Sequence, residues 1–386
     1  MKDRLAAQFE FLEEADKLRN VVRANLVIDC SRCENSAEHS WHLALYALVL
    51  APLAAPEVQI SRVIKMLLLH DLVEIDVGDH PIHQVTDWQK VAQAEEVAAQ
   101  RLFGLLPDDL GLEMLDLWRE FEANQSIDAM FAKQLDRCQP IFQTLYGIDP
   151  VPEHLEIVKG NIDGGRAASL EQNLPTAFAH ASLLLGRPNT LDCTAFTSRL
   201  PFLNEADQLK HVHRATLLGS GSRRENSAEH SWHIMLYAWV LAEHSIVEID
   251  INRVMQMLLL HDLVEIDAGD APIHGDIDHT EMAAKEEAAA KRLFGLLPEA
   301  QKVSFTALWH EFEAAQSNDA IYAKSIDRVQ PVLLNLKNGG GSWIEYSVSL
   351  AQVDSRVGDK VNLGAPRVWD FVRSQIEPWF VSQNRD

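Results

Sequence analysis

Apolar residues recur along most of the chain with the three- and four-residue spacing of amphipathic helices. Phe11, Ala15, Leu18 and Val22 form one such stripe near the start, and residues with that spacing share one helix face. No segment shows the regular apolar–polar alternation of a half-buried strand. The pattern therefore predicts an all-α fold of packed helices. Further helices are predicted over 36–50, 61–75, 87–104, 110–124 and 126–138.

Three small residues mark the ends of these predicted helices. Ser36 and Ser61 precede apolar runs and are predicted as N-caps, because a serine hydroxyl can accept from the first free backbone N–H groups. Gly104 follows an Ala-, Glu- and Gln-rich segment and is predicted to end that helix. Each of these helices then has at least one chemically defined boundary.

The chain contains the same domain twice. The nine residues ENSAEHSWH stand at 34–42 and return at 225–233, an offset of 191 residues. At that offset more than half of the positions from 11 to 140 are identical without a gap. Pro175 and Pro366 also align, which predicts a diverged last helix in each copy. We predict copy 1 over 1–186, a linker over 187–201 and copy 2 over 202–386, each with roughly five or six main helices.

Charge and hydropathy limit the partners of the chain. The formal net charge is −23, which would repel polymeric nucleic acid but not a small anion near a bound cation. The longest apolar stretch, 43–56, is too short to cross a bilayer. The first twenty residues are charged throughout and lack a signal-like apolar core. We expect a cytoplasmic protein with no membrane segment.

Several charged residues lie where packing alone does not explain them. His70, Asp71 and Glu74 sit in the apolar segment MLLLHDLVEI and would point to nearly one side of a helix. Buried carboxylates need partners. A single group of this kind could be a core histidine salt-bridged to an aspartate, with only a structural role. The same three residue types recur in copy 2 as His261, Asp262 and Glu265, which favours a shared chemical role.

Other candidate ligands accompany this group. His39 and His42 lie three residues apart, and Asp136 interrupts an apolar helix. Imidazoles and carboxylates gathered from separate helices suit a divalent transition metal, with open positions for water and substrate. Glu74 would be close enough to act as a general acid or base.

These residues resemble the H…HD…D signature of the HD-domain metal-dependent phosphohydrolases. The surrounding text, RxENSAEHSWH and LLHDLVEIDxGD, is similar to the 5′-deoxynucleotidase branch. The resemblance implies one divalent ion per copy (Co, Mn, Mg, Zn or Fe) and attack of a metal-bound water on a phosphomonoester, most simply a nucleoside 5′-monophosphate. It implies that the metal ligands are His39, His70, Asp71, Asp136, His230, His261, Asp262 and Asp327. It implies that the catalytic acids are Glu74, Asp79, Glu265 and Asp270.

The resemblance also suggests substrate contacts, and here the chain departs from the family. Arg23 and Arg214 match a phosphate-binding arginine, and Lys133 and Lys324 are further candidates to face the phosphate. The tryptophan that helps the deoxynucleotidases exclude a ribose 2′-hydroxyl is replaced by leucine. Deoxyribose selectivity therefore stays open. The leucines are Leu26 and Leu217.

Four more histidines recur between the copies without a matching role in the family. His42 and His233 are interpreted as packing residues or as supports for the ligands. His83 and His274 could assist phosphate binding, a second ion or loop packing.

Because related enzymes are usually homodimers, the two copies are expected to pack as an intramolecular pseudo-dimer with two active sites. A further homo-oligomer is left open. Two alternatives remain: an HD phosphodiesterase or diiron oxygenase, which needs a second metal site, and a non-catalytic nucleotide sensor.

Overall fold

A computed structural model describes residues 3–81, 86–275 and 278–385. The all-α prediction is confirmed, since helices carry nearly all of the regular structure. The helices of copy 1 are α1 (Arg4–Ala15), α2 (Ser36–Leu50), α3 (Ile60–Leu69), α4 (Glu74–Val77), α5 (Trp88–Phe103), α6 (Asp108–Ala123), α7 (Ile127–Leu145), α8 (Pro152–Asp163), α9 (Leu170–Asn173) and α10 (Pro175–Leu184).

Copy 2 repeats most of this order after a short connecting helix, α11 (Thr194–Thr197). The limits of the two domains and of the linker stay predictions. The helices of copy 2 are α12 (Leu200–Ala206), α13 (Ser227–Val240), α14 (Ile251–Leu260), α15 (Glu265–Ala268), α16 (His279–Phe294), α17 (Glu299–Ala314), α18 (Asn318–Lys337), α19 (Ser342–Glu345), α20 (Leu350–Val353), α21 (Asp359–Gly364) and α22 (Pro366–Ser382).

Each copy also contains a two-stranded antiparallel hairpin that the apolar pattern did not reveal. Strands β1 (Val22–Leu26) and β2 (Cys33–Asn35) pair in copy 1, and β3 (His213–Leu217) and β4 (Arg224–Asn226) pair in copy 2. The predicted helical stripe through Val22 is therefore wrong at its end. Helix α1 stops at Ala15, and a 3-10 turn leads into β1.

Two of the three predicted helix boundaries shift by a residue or two. Asn35, not Ser36, is the N-cap of α2, because its side chain accepts from the backbone N–H groups of Ala37 and Glu38. Helix α3 begins at Ile60 after Gln59, so Ser61 lies inside it. Gly104 ends α5 as predicted.

The hydrophobic core runs continuously through both copies. Helices α2 and α13, which carry the repeated nine residues, contact each other at its centre. The indole of Trp41 donates to the carbonyl of Leu259 (3.4 Å), and that of Trp232 donates to the carbonyl of Leu68 (3.2 Å). The same side chain of each copy thus reaches the buried third helix of the other copy.

The copies diverge after α7 and α18. Helices α10 and α22 both begin with a proline in the first turn, as the aligned prolines predicted. Between these points copy 1 has α8, whereas copy 2 turns at three consecutive glycines with positive φ, Gly339, Gly340 and Gly341. Among the helices of the described residues, none is long and apolar enough to span a bilayer.

Candidate active site

Helices α2 and α7 bring the first two candidate ligands of copy 1 together. His39 is fully buried in α2, and its Nε2 lies 3.2 Å from Oδ1 of Asp136 on α7. Pro140 lies inside α7 four residues after Asp136. A proline there removes the backbone hydrogen bond to the Asp136 carbonyl. The cap at Asn35 fixes the start of α2, so His39 lies one turn inside a firmly anchored helix.

His70 and Asp71 stand just beyond the end of α3. The predicted continuous helix over 61–75 is wrong, because α3 ends at Leu69 and a turn separates it from α4 at Glu74. Nδ1 of His70 donates to the carbonyl of Leu67 (2.8 Å), which leaves Nε2 as the lone-pair nitrogen. That Nε2 lies 3.0 Å from Oδ1 of Asp71 and 4.0 Å from Oδ1 of Asp136.

Copy 2 reproduces this arrangement. Nε2 of His230 lies 3.0 Å from Oδ1 of Asp327. Nε2 of His261 lies 2.9 Å from Oδ1 of Asp262 and 3.7 Å from Oδ1 of Asp327. His261 also donates from Nδ1 to the carbonyl of Leu258 at 2.8 Å. The structure therefore gathers all four predicted ligands in each copy.

The donor set suits a divalent metal ion. Nε2 of His70 and of His261 are buried and make no hydrogen bond of acceptable geometry to any residue the structure describes. A buried nitrogen lone pair without a donor is costly, and a metal ion would satisfy it. Imidazole and carboxylate ligands fit Co, Mn, Fe or Zn, and carboxylates with water fit Mg.

Arg23 lies among three carboxylates beside this cluster. Its Nη1 is 2.8 Å from Asp71, 3.9 Å from Glu74 and 4.0 Å from Asp79. Burial alone would lower the pKa of the guanidinium, but Asp71 and Glu74 hold it above its usual range. The predicted phosphate-binding arginine is thus held at the metal cluster by acids. Arg214 repeats the contact with Asp262 at 2.8 Å.

The candidate catalytic acids line the same space. Burial raises the pKa of Glu74 well above its usual range, and the neighbouring charge of Asp71 adds to the rise. Ser36 donates its hydroxyl to Oε2 of Glu74 at 2.5 Å. Burial also raises the pKa of Asp79. In copy 2, Glu265 accepts from a serine hydroxyl at the same distance, and Asp270 has a raised pKa for the same cause.

The two predicted lysines occupy matching positions, each over a phenylalanine ring, but in the part of the chain that the structure describes only Lys133 borders a cavity. Lys133 pairs with Glu122 at 2.8 Å, packs over the ring of Phe121 and lines a cavity next to Asp136. Lys324 pairs with Glu313 at 3.2 Å. Lys133 can reach a ligand in that cavity, and both lysines already have acidic partners.

Sequence reasoning missed a buried glutamate behind each metal cluster. Oε1 of Glu34 lies 3.5 Å from Nδ1 of His39 and 3.5 Å from Nε of Arg23. Its other oxygen accepts from Nζ of Lys210, a residue of copy 2, at 2.9 Å. The charge on Lys210 helps to hold the pKa of Glu34 well below its usual range against the effect of burial. A cation of copy 2 therefore pairs with the glutamate that lies next to a candidate ligand of copy 1.

The reciprocal support comes from Arg19 of copy 1. Its Nη1 donates to Oε2 of Glu225 at 2.6 Å, and Oε1 of Glu225 lies 3.7 Å from Nδ1 of His230. Arg19 and Lys210 occupy matching positions in the repeat. The signal in the sequence was the glutamate that opens the repeated ENSAEHSWH, together with this aligned cation.

His42 and His233 take no part in the metal clusters. Nε2 of His42 bonds to the carbonyl of Leu203 at 3.0 Å, and Nε2 of His233 bonds to the carbonyl of Leu12 at 2.9 Å. Each histidine thus reaches a backbone group of the other copy. These contacts agree with the interpretation of His42 and His233 as packing residues. Arg32, near the start of the repeated segment, pairs with Glu38 at 2.6 Å.

The remaining histidines give little support to a second metal ion. His83 lies outside the described residues. His274 lines the cavity of copy 2, where burial and the charge of Arg356 lower its pKa to about 4. His310 pairs with Glu287 at the surface at 2.9 Å. Within the ranges that the structure describes, the side chains grouped closely enough to hold an ion form one cluster per copy.

Comparison with known families identifies the class to which this fold and these clusters belong. The chain matches the HD domain over residues 15–177 and again over 206–369. These two segments include most of the chain. The chain therefore belongs to the HD-domain family and carries the domain in tandem.

Characterised relatives resemble one domain of this chain. The human protein named 5′-deoxynucleotidase HDDC2 is 33% identical over 136 residues, which is 35% of this chain and 65% of the human protein. The mouse protein of the same name is 33% identical over 140 residues, covering 36% of this chain and 68% of its own length. The chain thus matches about two thirds of the length of these relatives.

A solved structure also resembles one domain. It is described as a predicted metal-dependent phosphohydrolase from Magnetospirillum magnetotacticum MS-1 and is 41% identical to this chain. The match covers 50% of this chain and 96% of that one, with a TM-score of 0.47.

Proposed function

We propose that this protein is a metal-dependent phosphomonoesterase that removes phosphate from nucleoside 5′-monophosphates. The observation that carries the proposal is the buried Nε2 of His70 and of His261, which makes no well-formed hydrogen bond within the described residues and lies about 3 Å from an aspartate oxygen. A carboxyl group of raised pKa stands next to each of them. The relatives named 5′-deoxynucleotidases support the choice of a nucleotide.

In copy 1 the ion would be held by His39, His70, Asp71 and Asp136. A bound divalent ion supplies Lewis-acid chemistry to a phosphoryl oxygen and lowers the pKa of a water molecule. The corresponding ligands of copy 2 are His230, His261, Asp262 and Asp327.

The remaining side chains move the proton and orient the phosphate. Arg23 has N–H donors directed at the cluster, and a phosphate oxygen there would compete with the carboxylates that it now contacts. Glu74 accepts the proton of the attacking water and returns it to the leaving 5′-oxygen, which balances the hydrolysis. The hydroxyl of Ser36 holds Glu74 in place, and Asp79 positions the water. Arg214, Glu265, Ser227 and Asp270 have the same roles in copy 2.

A purely structural ion or a sensor would not need these extra acids, because a structural site closes its coordination sphere with protein ligands. The pairing of the copies as an intramolecular pseudo-dimer and a cytoplasmic location belong to the same proposal. The cross-copy hydrogen bonds at both clusters support the first of these.

The test is phosphate release from ribo- and deoxynucleoside monophosphates. The protein is stripped with a chelator and reloaded separately with Co, Mn, Mg or Zn. We expect metal-dependent release that disappears in the Asp71→Ala, Asp262→Ala double variant, with metal analysis near one ion per copy in the wild type. No release from any nucleotide with any metal would refute the proposal. A metal content near four per chain would instead favour the two-metal phosphodiesterase or oxygenase.

A further inference from the structure

The two metal clusters open into cavities of very different size. In copy 1, Arg23, Asp79 and Asp136 border a cavity of about 270 Å³. In copy 2, Arg214 and Asp270 border a cavity of about 60 Å³. The ligands, the catalytic acids and the arginine are the same in both copies, so the difference arises beyond the reacting centre.

Aromatic side chains of α19 and the residue after it fill the space in copy 2. The glycine turn after α18 places Trp343 and Tyr346 in the cavity wall. Trp343 is fully buried, with ring centroids 5.3 Å from Trp379 and 4.7 Å from Phe380. The side chain of Asn335 accepts from the backbone N–H of Ser342 at 2.9 Å and closes the turn. Trp343, which fills this space, is therefore part of the hydrophobic core of copy 2 and not part of a loosely packed loop.

Copy 1 builds the same wall from a different element. Pro152 aligns with Trp343 and begins α8, whose residues His154, Ile157 and Asn161 line the cavity at one side. None of these side chains is an aromatic residue of indole size. Among the described residues, a cavity therefore remains between α8 and α7.

Polar groups border the copy 1 cavity beyond the metal cluster. Arg137 and Arg166 both line it. Arg137 donates to the hydroxyl of Ser169 at 2.7 Å, and Arg166 stacks over the ring of Trp88 at 4.0 Å. These guanidinium groups, with His154 and Asn161, supply hydrogen-bond donors suited to the carbonyl and ring-nitrogen acceptors of a nucleobase.

Volume decides what each cavity can hold. The copy 2 cavity, at about 60 Å³, has room for a small group but not for a nucleoside. Pockets that enclose an organic ligand begin near roughly 300 Å³, which is the scale of the copy 1 cavity. We propose, resting on the phosphomonoesterase function above, that the copy 1 cavity is the nucleoside-binding subsite and that copy 2 accepts only phosphomonoesters with a small leaving group.

Single-site variants of the full chain separate the two sites. Asp262→Ala leaves only site 1, and Asp71→Ala leaves only site 2. We expect the first variant to keep most of the wild-type kcat/KM for a deoxynucleoside 5′-monophosphate. We expect the second variant to lose at least about 100-fold of that kcat/KM, the discrimination of a site that cannot admit the nucleoside, and to retain turnover of glycerol 3-phosphate.

Binding gives a readout that does not depend on turnover. A nucleoside 5′-methylenephosphonate cannot be hydrolysed and can be titrated calorimetrically into the metal-loaded wild type. We expect one phosphonate bound per chain while metal analysis finds two ions. Two phosphonates per chain would overturn the proposal.

Two substitutions change the cavities directly. Asn161→Trp should fill the copy 1 cavity and abolish phosphonate binding while glycerol 3-phosphate is still hydrolysed. Glu156→Trp, on the exposed side of the same helix, is the matched control and should bind as the wild type does. Trp343→Ala, made with Asp71→Ala, should add nucleotide turnover at site 2. If this variant fails to fold, Asn161→Trp still decides, because unchanged phosphonate binding would contradict the proposal.

The outcomes also separate this inference from the proposed function. Equal nucleotide hydrolysis by the two single-site variants would overturn the asymmetry and leave the nucleotidase function in place. Release of phosphate from glycerol 3-phosphate but from no nucleotide in the wild type would overturn the nucleotidase function itself.

Discussion

Buried histidines at and near the candidate metal clusters take two different roles, according to what their ring nitrogens contact. His39 and His70 face carboxylates at a metal cluster, whereas His42 and His233 bond to backbone carbonyls of the other copy. Three residues separate His39 from His42, so both lie toward one side of α2. The tertiary neighbours, and not the residue type, give each histidine its role.

The burial of His42 makes stability depend on pH. Burial and the nearby Lys210 lower its pKa to about 3 from the usual 6.5. Below about pH 6.5 the unfolded chain gains a proton that the folded chain cannot hold, so the free energy of unfolding falls by about 1.4 kcal/mol per pH unit. We expect His42→Gln to flatten this fall by about 1–2 kcal/mol between pH 6.5 and 5. Denaturant unfolding of the metal-free wild type and of the metal-free His42→Gln variant measures this pH dependence. Parallel curves of unfolding free energy against pH would show that His42 is not its source.

Glu74 should matter for turnover rather than for holding the ion. Its carboxyl lies 3.9 Å from the Arg23 guanidinium and accepts from Ser36. Glu74→Gln, made with Asp262→Ala so that only site 1 works, should lower kcat by roughly 10²–10⁴-fold, the usual contribution of a general acid or base. Metal content should not change. Full activity, or loss of the ion, would exclude the proton-transfer role.

At the scale of elements, helices α2 and α13 begin with reciprocal caps. Asn35 and Glu38 form a capping box at α2, and Asn226 and Glu229 form one at α13. The amide of Asn35 also donates to Glu229 at 2.9 Å. Each cap thus holds the start of its own helix and the carboxylate of the other copy.

Removing one cap should therefore cost more than an ordinary N-cap. We expect Asn35→Ala to lower the free energy of unfolding by about 2–4 kcal/mol, the sum of about 1 kcal/mol for the cap and of a buried carboxylate left short of a donor. Ser126→Ala, which removes the cap of α7 and a hydrogen bond to Glu120 but no cross-copy contact, is the matched control and should cost less, about 1–2 kcal/mol. Equal losses in denaturant unfolding would mean that the link to Glu229 contributes nothing.

At the scale of the whole molecule, each candidate metal cluster lies next to a glutamate that pairs with a cation from the other copy. Lys210 supports Glu34 behind His39, and Arg19 supports Glu225 behind His230. Such supporting contacts orient a metal-binding imidazole and typically alter activity or metal affinity 10–100-fold. We therefore expect each site to be affected by a cation of the other copy.

The effect of Lys210 should appear at the site of the opposite copy. Lys210→Met should lower kcat/KM for glycerol 3-phosphate at least about tenfold when site 1 alone works, in the Asp262→Ala chain. It should have little effect when site 2 alone works, in the Asp71→Ala chain. Lys210→Arg, which introduces the residue found at position 19, should restore most of the activity. Equal losses in both backgrounds would indicate general destabilisation instead.

The sequence by itself determined the helical class and the duplication, and it predicted the residues that the structure brings together in the two candidate metal clusters. These features depend on local spacing and on residue chemistry, and both occur a second time in the repeated copy. It also indicated α10 and α22 through the aligned Pro175 and Pro366. It did not reveal the hairpins, because five- and three-residue strands are too short to show alternation.

Only the tertiary structure decided which residues of the two copies contact each other and how their cavities differ. Glu34 meets Lys210 across many intervening residues, and no spacing rule relates them. The interruption of the helix between α3 and α4 is likewise a tertiary feature. At this turn His70 and Asp71 lie close to Asp136 on a distant helix. Trp343 and Pro152 occupy one aligned position, yet only packing against Trp379 and Phe380 shows that the tryptophan fills a cavity. Whether a side chain fills the space beside a site depends on close packing against neighbours that are distant in sequence. That is the physical reason why the sequence alone did not determine the size of either cavity.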